Sequence, residues 1–383
     1  MEPFKNLVAE PVVRGLGAAI AASARARGAR FSRGRFEADA LHDLEGLELI
    51  ARGAHVGRAL RAQLPSEVPD ALAVVIDALD RGQLSGFGWL PISALIESIG
   101  DGARADPSTL DDQGFEACLL ACRALTQRFT AEWCVRPFLQ LREKDTLARL
   151  TEWTRDPSEH VRRLCSEGTR TRLPWGRRLD VFIAKPAPVL ALIERLKDDE
   201  SEYVRRSVAN SLNDLSKDHP DRVIEVCARW WKDGDAARRK LVKHALRTLV
   251  KKGDPRALGI LGADVEHAHA HVSVTGSVAP KRVAIGGSAR VSISAHNADA
   301  KDARVVIDLV VHYVKKRTKT SGKTSAKVFK GKTITIGGGE SVSFERTLAF
   351  ADVSIRKHEP GAHAIEAKVN GKLVPLGSVK LTR

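Results

Sequence analysis

The sequence predicts a two-domain protein: an all-α repeat solenoid followed by an all-β sandwich. Three observations carry this. Apolar residues recur at helical spacing up to about residue 265 and alternate with polar ones after it. Related segments return roughly every 34 to 43 residues in the first part. The second part holds about eight β-branched runs between Gly and Asn turns. With 383 residues and 43% hydrophobic content, the chain can bury two cores.

The solenoid rests on a repeated string. Asp156-Pro-Ser-Glu-His-Val-Arg-Arg163 matches Asp199-Glu-Ser-Glu-Tyr-Val-Arg-Arg206, with Val161 and Val204 43 residues apart. A weaker copy, Arg239-Lys-Leu-Val-Lys-His-Ala-Leu246, places Val242 34 residues after Val208. Each copy follows another amphipathic stretch: 145–154, 188–198 and 221–232. Two helices at this period is the HEAT-like pattern. The Asp ahead of Val-Arg-Arg predicts a capped helix start with the Val turned inward. Stacked units form one concave side. Residues at helical spacing on each second helix share that side: Arg163, Glu167 and Arg170, then Arg206, Asn210, Asn213 and Asp214.

The second part predicts strands at 271–278, 282–285, 289–294, 303–314, 326–336, 341–350, 363–369 and 372–381. That spacing fits an immunoglobulin-like sandwich, without the disulfide or core Trp of antibody domains. The expected division is a solenoid over 1–264, a linker over 265–270 and the sandwich over 271–383. His267-Ala-His-Ala-His271 sits at the joint and reads as exposed linker. Its alternate histidines would converge on a metal only if extended, and no fourth ligand is near in sequence. Neither metal nor cofactor is expected.

The net charge of +15 favours a polyanion or an anionic lipid surface, an Arg-rich genomic habit being the plainer account. Five cysteines, odd in number and without a CxxC pair, fall in helical stretches. They read as reduced, buried thiols. No apolar run of about 20 residues and no basic-then-apolar leader is seen. A cytoplasmic protein with no membrane partner is expected.

Three clusters could carry chemistry. Between Val161 and Arg178 stand Arg162, Arg163, Arg170, Arg172, Arg177 and Arg178 against one acid, Glu167, with Pro174-Trp175-Gly176 breaking the helix and presenting an aromatic. Arginines at this density suit phosphate contacts. Glu167 either satisfies those arginines or stabilises a cation. In Thr130-Ala-Glu-Trp-Cys-Val-Arg-Pro-Phe138, Glu132 and Arg136 stand four apart, the spacing of an intrahelical pair. Pro137 there forces a kink or a fresh helix start. In Asn210-Ser-Leu-Asn-Asp214, polar residues poor in helix propensity suggest a working concave face, or a C-terminal cap at Asn213. Separately, the segment 301–332 holds ten basic residues against two acids. Its loop, with Lys315, Lys316, Arg317 and Lys319, either grips a nucleic-acid backbone or is a solvated hairpin tip.

Four strings then coincide: Arg128–Phe138, His160–Gly176, Val204–Pro220 and Lys243–Gly253. Together they resemble the AlkC branch of the bacterial HEAT-like alkylation-repair glycosylases, over roughly residues 110 to 260. Part of that family carries a C-terminal Ig-like domain. The resemblance implies a monofunctional DNA glycosylase of base excision repair, excising 3-methyladenine and 3-methylcytosine. It implies Glu132, Glu167 and Asp214 as active-site carboxylates and Trp175 as an aromatic lining the site, with Arg163 and Arg170 nearby. Arg172, Arg206 and Asn210 join the expected DNA-binding face. It also implies a lesion that stays stacked or only partly exposed. The expected partner is double-stranded DNA containing alkylated bases, met by a monomer at the bacterial nucleoid. The alternative is a non-catalytic binder of damaged or branched DNA, which would not need the three carboxylates together.

Overall fold

The computed structural model describes residues 3–315, 324–352 and 357–383. The chain forms two compact units, one running to His219 with Asp235–His244, the other comprising Pro220–Gly234 and Ala245–Arg383. The division therefore falls earlier than the expected 264, the helices 220–232 and 247–260 counting with the sandwich.

The first unit is all helix, and its repeats follow the sequence pattern. The helices Glu143–Trp153 and Glu159–Gly168, then Ala187–Glu194 and Glu202–Leu215, form successive pairs, and the second helix of each is exposed only near its start, at Glu159 and His160 and at Glu202, Tyr203 and Arg206. Val161, Val204 and Val242 are fully buried. Asp156 and Asp199 each accept a 2.9 Å bond from the N–H two residues on, at Ser158 and Ser201, closing the turn that starts the helix. The same two acids bind arginines from the preceding unit: Arg123 reaches Asp156 at 2.7 Å and Arg162 reaches Asp199 at 2.7 and 3.1 Å. Arg162 thus ties one repeat to the next.

One stretch, Phe4–Ala26, is apolar and long enough to cross a membrane by composition, which the sequence reading missed. It contains the helix Glu10–Ala26, whose Val13, Leu16, Ile20 and Ala24 are buried, while Glu10 and Arg14 pair at 2.7 Å on the other side. One buried and one charged face is the pattern of a core helix.

The second unit contains the sandwich. Its strands are β1 (Val272–Ala279), β2 (Arg282–Ala284), β3 (Ser288–Asn297), β4 (Ala303–Val314), β5 (Thr324–Ile336), β6 (Ser341–Ala349), β7 (Gly361–Val369) and β8 (Lys372–Thr382). One sheet runs β1-β3-β6 and the other β2-β8-β7-β4-β5. Only β2 with β8 is parallel. Alternate residues of the strands, Val291, Ile293, Val305, Ile365 and Val379 among them, form the core. All eight strands stand where the alternation placed them.

The expected linker is instead a helix, Val265–His271, capped by Asp264, whose carboxylate accepts from the His267 N–H at 3.0 Å. The sequence reading missed it because seven residues with one buried Ala carry almost no periodic signal.

β7 and β8 join through Asn370-Gly371, at φ +43° and +95°, the pair a two-residue hairpin favours. Gly253, at φ +85°, ends the helix Arg247–Lys252 against that turn, and a Cβ on it would lie 2.3 Å from the Gly371 Cα. Gly253→Ala is expected to destabilise the protein by about 2 kcal/mol or more, through backbone strain and this clash. Gly286→Ala, also at positive φ but with open space around it, should cost about 1 kcal/mol. Denaturant midpoints of the two variants check the order.

Candidate active site

The first unit brings together a turn, two helices and a loop. Pro137 at the start of the helix Arg136–Leu141 sets that start, so Glu132 lies in the turn ahead of it rather than inside a helix. The helix Glu159–Gly168 carries Arg163 and Glu167, and Glu202–Leu215 carries Ser207 and Asp214. Gly168 permits the approach of turn and helix, since a Cβ there would stand 2.7 Å from Val135 Cγ1.

The side chains form one continuous row of alternating charge. Glu132 accepts from Arg163 at 2.7 Å and also from the Thr130 hydroxyl. Arg163 reaches Glu167 at 3.4 Å, and Glu167 accepts from Arg170 at 2.5 Å. Arg170 donates to Asp214 at 2.8 Å, and Asp214 accepts from Lys217 at 3.1 Å. The other oxygen of Glu167 accepts from the Ser207 hydroxyl at 2.6 Å, which meets Ser166 at 2.8 Å. Glu167, Arg170 and Asp214 are buried.

Three carboxylates, two guanidiniums and one ammonium sum to zero. Such a row repels neither a polyanion nor a cation, which answers the oddity of an acid within an arginine cluster. Burying the charges singly would cost several kcal/mol per ion; pairing in series makes the row tolerable. Burial nevertheless pushes the Glu132 carboxyl above the ordinary glutamate range, with Glu167 adding to the push and Arg163 opposing it.

Arg136 holds the frame. It does not pair with Glu132, the intrahelical contact its spacing suggested. Fully buried, it donates to the Arg177 carbonyl at 2.8 and 2.5 Å, to Gly168 at 2.8 Å and to Arg170 at 2.9 Å. Burial, with Arg170 and Arg177 nearby, lowers it to about 10, so it stays charged at neutral pH. A cation at the carbonyl end of the Glu159–Gly168 helix also meets the favourable pole of its dipole. The segment it gathers carries Arg170, Arg172 and Trp175.

Trp175 is 73% exposed and sits at φ +61°. For a bulky residue that conformation costs on the order of 1–3 kcal/mol. The turn is closed by the Gly176 N–H donating to the Leu173 carbonyl at 3.2 Å. An apolar ring is therefore held out in solvent by a strained backbone.

The remaining expected residues divide. Arg172 donates from Nε and Nη2 to the two oxygens of Asp218, at 2.9 and 2.6 Å, and Arg177 is bound to Asp101, so neither is a free cation. Arg206 is exposed, while Asn210 is half-buried and bonds His244 at 3.1 Å. Lys315 is exposed at the end of β4; Lys316, Arg317 and Lys319 lie outside the described residues. The sequence reading missed Ser207, Thr130, Lys217 and Tyr203, over whose ring Arg163 lies at 5.2 Å. Tyr203 occupies the place of His160 in the repeat, which was the available signal.

A model of the DNA alkylation repair enzymes matches residues 115–249, and one of the C-terminal Ig-like domain of the uncharacterised protein YhaZ matches 273–383. YhaZ of Bacillus subtilis (strain 168) is 35% identical over 345 residues, covering 90% of each chain. The solved structure of the Pseudomonas fluorescens alkylpurine DNA glycosylase AlkC, bound to DNA containing an abasic site analog, is 31% identical. It covers 100% of both chains at a TM-score of 0.86.

Arg136→Met is expected to cost about 3 kcal/mol, since three carbonyls lose a charged donor inside the protein. Arg136→Lys should recover little of it, because an ammonium cannot fork across them. Denaturant unfolding of both variants measures this.

Proposed function

This chain belongs to the AlkC-type branch of the DNA alkylation repair enzymes, and from that premise we propose that it is a monofunctional DNA glycosylase releasing N3-alkylated bases, 3-methyladenine and 3-methylcytosine, from double-stranded DNA. The observation that carries the reading is the charge-balanced row from Glu132 to Lys217, buried or nearly so except for the exposed Lys217, in the segment matched to the repair enzymes. A protein that only gripped DNA would gain nothing from three desolvated carboxylates.

N3-methylation gives the base a positive charge and weakens its bond to the sugar. As that bond breaks, its electron pair passes to the departing base, which leaves neutral, and positive charge gathers on the deoxyribose. Carboxylates fixed beforehand stabilise that charge without reorganising, an effect commonly worth about 10²–10³ in rate for one group. Glu167 is held from three sides and is the group assigned to the sugar cation. Glu132, raised by burial, is suited to orient water and take its proton as the oxygen bonds C1′. Asp214 fixes Arg170 behind Glu167. Trp175 offers a rigid apolar face to the sugar or base, and Arg206 and Lys315 offer charge to phosphates. AlkC, similar over the full length, was solved with DNA containing an abasic site analog, the form left after base loss. We place the protein as a single chain acting on chromosomal DNA.

The test is chromatography of methylated DNA incubated with the protein. Free 3-methyladenine and 3-methylcytosine should accumulate, with abasic sites and no strand scission. DNA binding without base release would overturn the proposal in favour of a damage-binding protein.

A pH profile adds a second check. As pH falls, Glu132 takes up its proton before an ordinary glutamate would. The acidic limb of single-turnover release should therefore lie above the ordinary value of 4.5. In Glu132→Gln that limb should move to lower pH, at a reduced plateau.

A further inference from the structure

The three histidines between the units' helices and the sandwich play no part in the proposed chemistry, yet the fold sorts them. Within the helix Val265–His271, His267 and His271 stand one turn apart on the same face. His269 points elsewhere and meets the Val369 carbonyl at 3.1 Å. Facing the pair is Asp299, in the turn between β3 and β4. One ligand atom from each of His267, His271 and Asp299 lies within 4.8 Å of the other two. His267 Nδ1 and Asp299 Oδ2 are 3.4 Å apart. Ligands of a tetrahedral zinc ion, bonded at about 2.0–2.1 Å, stand about 3.3 Å from one another. One edge of the coordination figure is therefore already near its length, and the other two are no longer than 4.8 Å.

We propose that His267, His271 and Asp299 bind a zinc-type divalent cation that clamps the helix Val265–His271 to the β3–β4 turn. The donor set, two imidazoles and a carboxylate, suits zinc and its borderline neighbours. His271 is exposed and Asp299 half-exposed, leaving one side open for water as fourth ligand. The surroundings prepare the site. Asp299 Oδ1 accepts from the Ala300 N–H at 2.7 Å, orienting the carboxylate, and the His271 carbonyl accepts from the Ala298 N–H at 2.9 Å, fixing helix to turn. The two imidazole rings lie 4.9 Å apart, tilted by 40°. His267 is largely buried, and the nitrogen that faces Asp299 is Nδ1, the atom the ion would take. The five cysteines are buried thiols, and burial raises Cys118 and Cys227 to about 12, so they do not compete for the ion.

The test uses the full chain, freed of metal with a chelator. Zinc titrated into it should bind at one equivalent by calorimetry, and cobalt(II) should give the visible absorption of a four-coordinate ion. Asp299→Asn and His271→Asn should each weaken binding about 10- to 100-fold. His269→Asn should leave it unchanged, which separates the site from general histidine binding. Zinc should raise the melting temperature of the wild type and of His269→Asn, but not of Asp299→Asn. Absence of zinc binding by the folded wild type, or equal affinity in all these variants, overturns the proposal.

Discussion

A carboxylate inside a protein survives as a charge only if something opposite and well aimed stands beside it. That constraint shapes the first unit. Glu132, Glu167 and Asp214 come from a turn and two helices of separate repeats, and each is held by a cation from another element or from the next turn of its own. The row runs across the repeats, so the stacking of the helices and the composition of the site satisfy one condition. Arg136 applies the same rule with carbonyls in place of carboxylates, and its three partners set the path of the segment that carries Trp175.

The arginines divide by what they touch, and the division separates scaffold from chemistry. Arg123 and Arg162 bind the aspartates that start the next repeat's helix. Arg172 and Arg177 fasten loops to Asp218 and Asp101. Only Arg163 and Arg170 sit between the acids of the central row. Many arginines are therefore engaged internally, so the free cations that DNA would meet are fewer than the count of Lys and Arg implies, while the net charge of +15 is unchanged because each pair removes one charge of either sign.

Much of this was legible in the chain. The eight strands could be read because a half-buried strand imposes a period of two. The repeats could be read because Val161 and Val204 must face inward at a fixed place in each unit. The three acids and Trp175 followed from a resemblance carried by four strings. What was hidden depends on distant partners. Arg162 and Arg163 are adjacent and chemically equal in sequence, and only the fold sends one to Asp199 and the other to Glu132. Arg136 stood at pairing distance from Glu132 along the chain, but Pro137 moved the helix start between them. Ser207 gave no sign of bonding an acid 40 residues away. The helix Val265–His271 was hidden by its shortness, and with it the meeting of His267 and His271 at Asp299.

The claim on which the account rests is that Glu167 performs chemistry rather than merely neutralising its arginines. The measurement that tests it most directly is single-turnover release of 3-methyladenine by Glu167→Gln, beside its affinity for DNA holding an abasic-site analog and its melting temperature. The amide keeps the shape and the Ser207 bond while removing the charge. The account predicts a rate reduced about 10²- to 10³-fold below the variant's melting transition, with DNA affinity retained and a lowered melting temperature, since Arg163 and Arg170 lose a buried charge partner. A wild-type rate in that variant would contradict it and leave Glu167 as a partner of Arg163 and Arg170 alone.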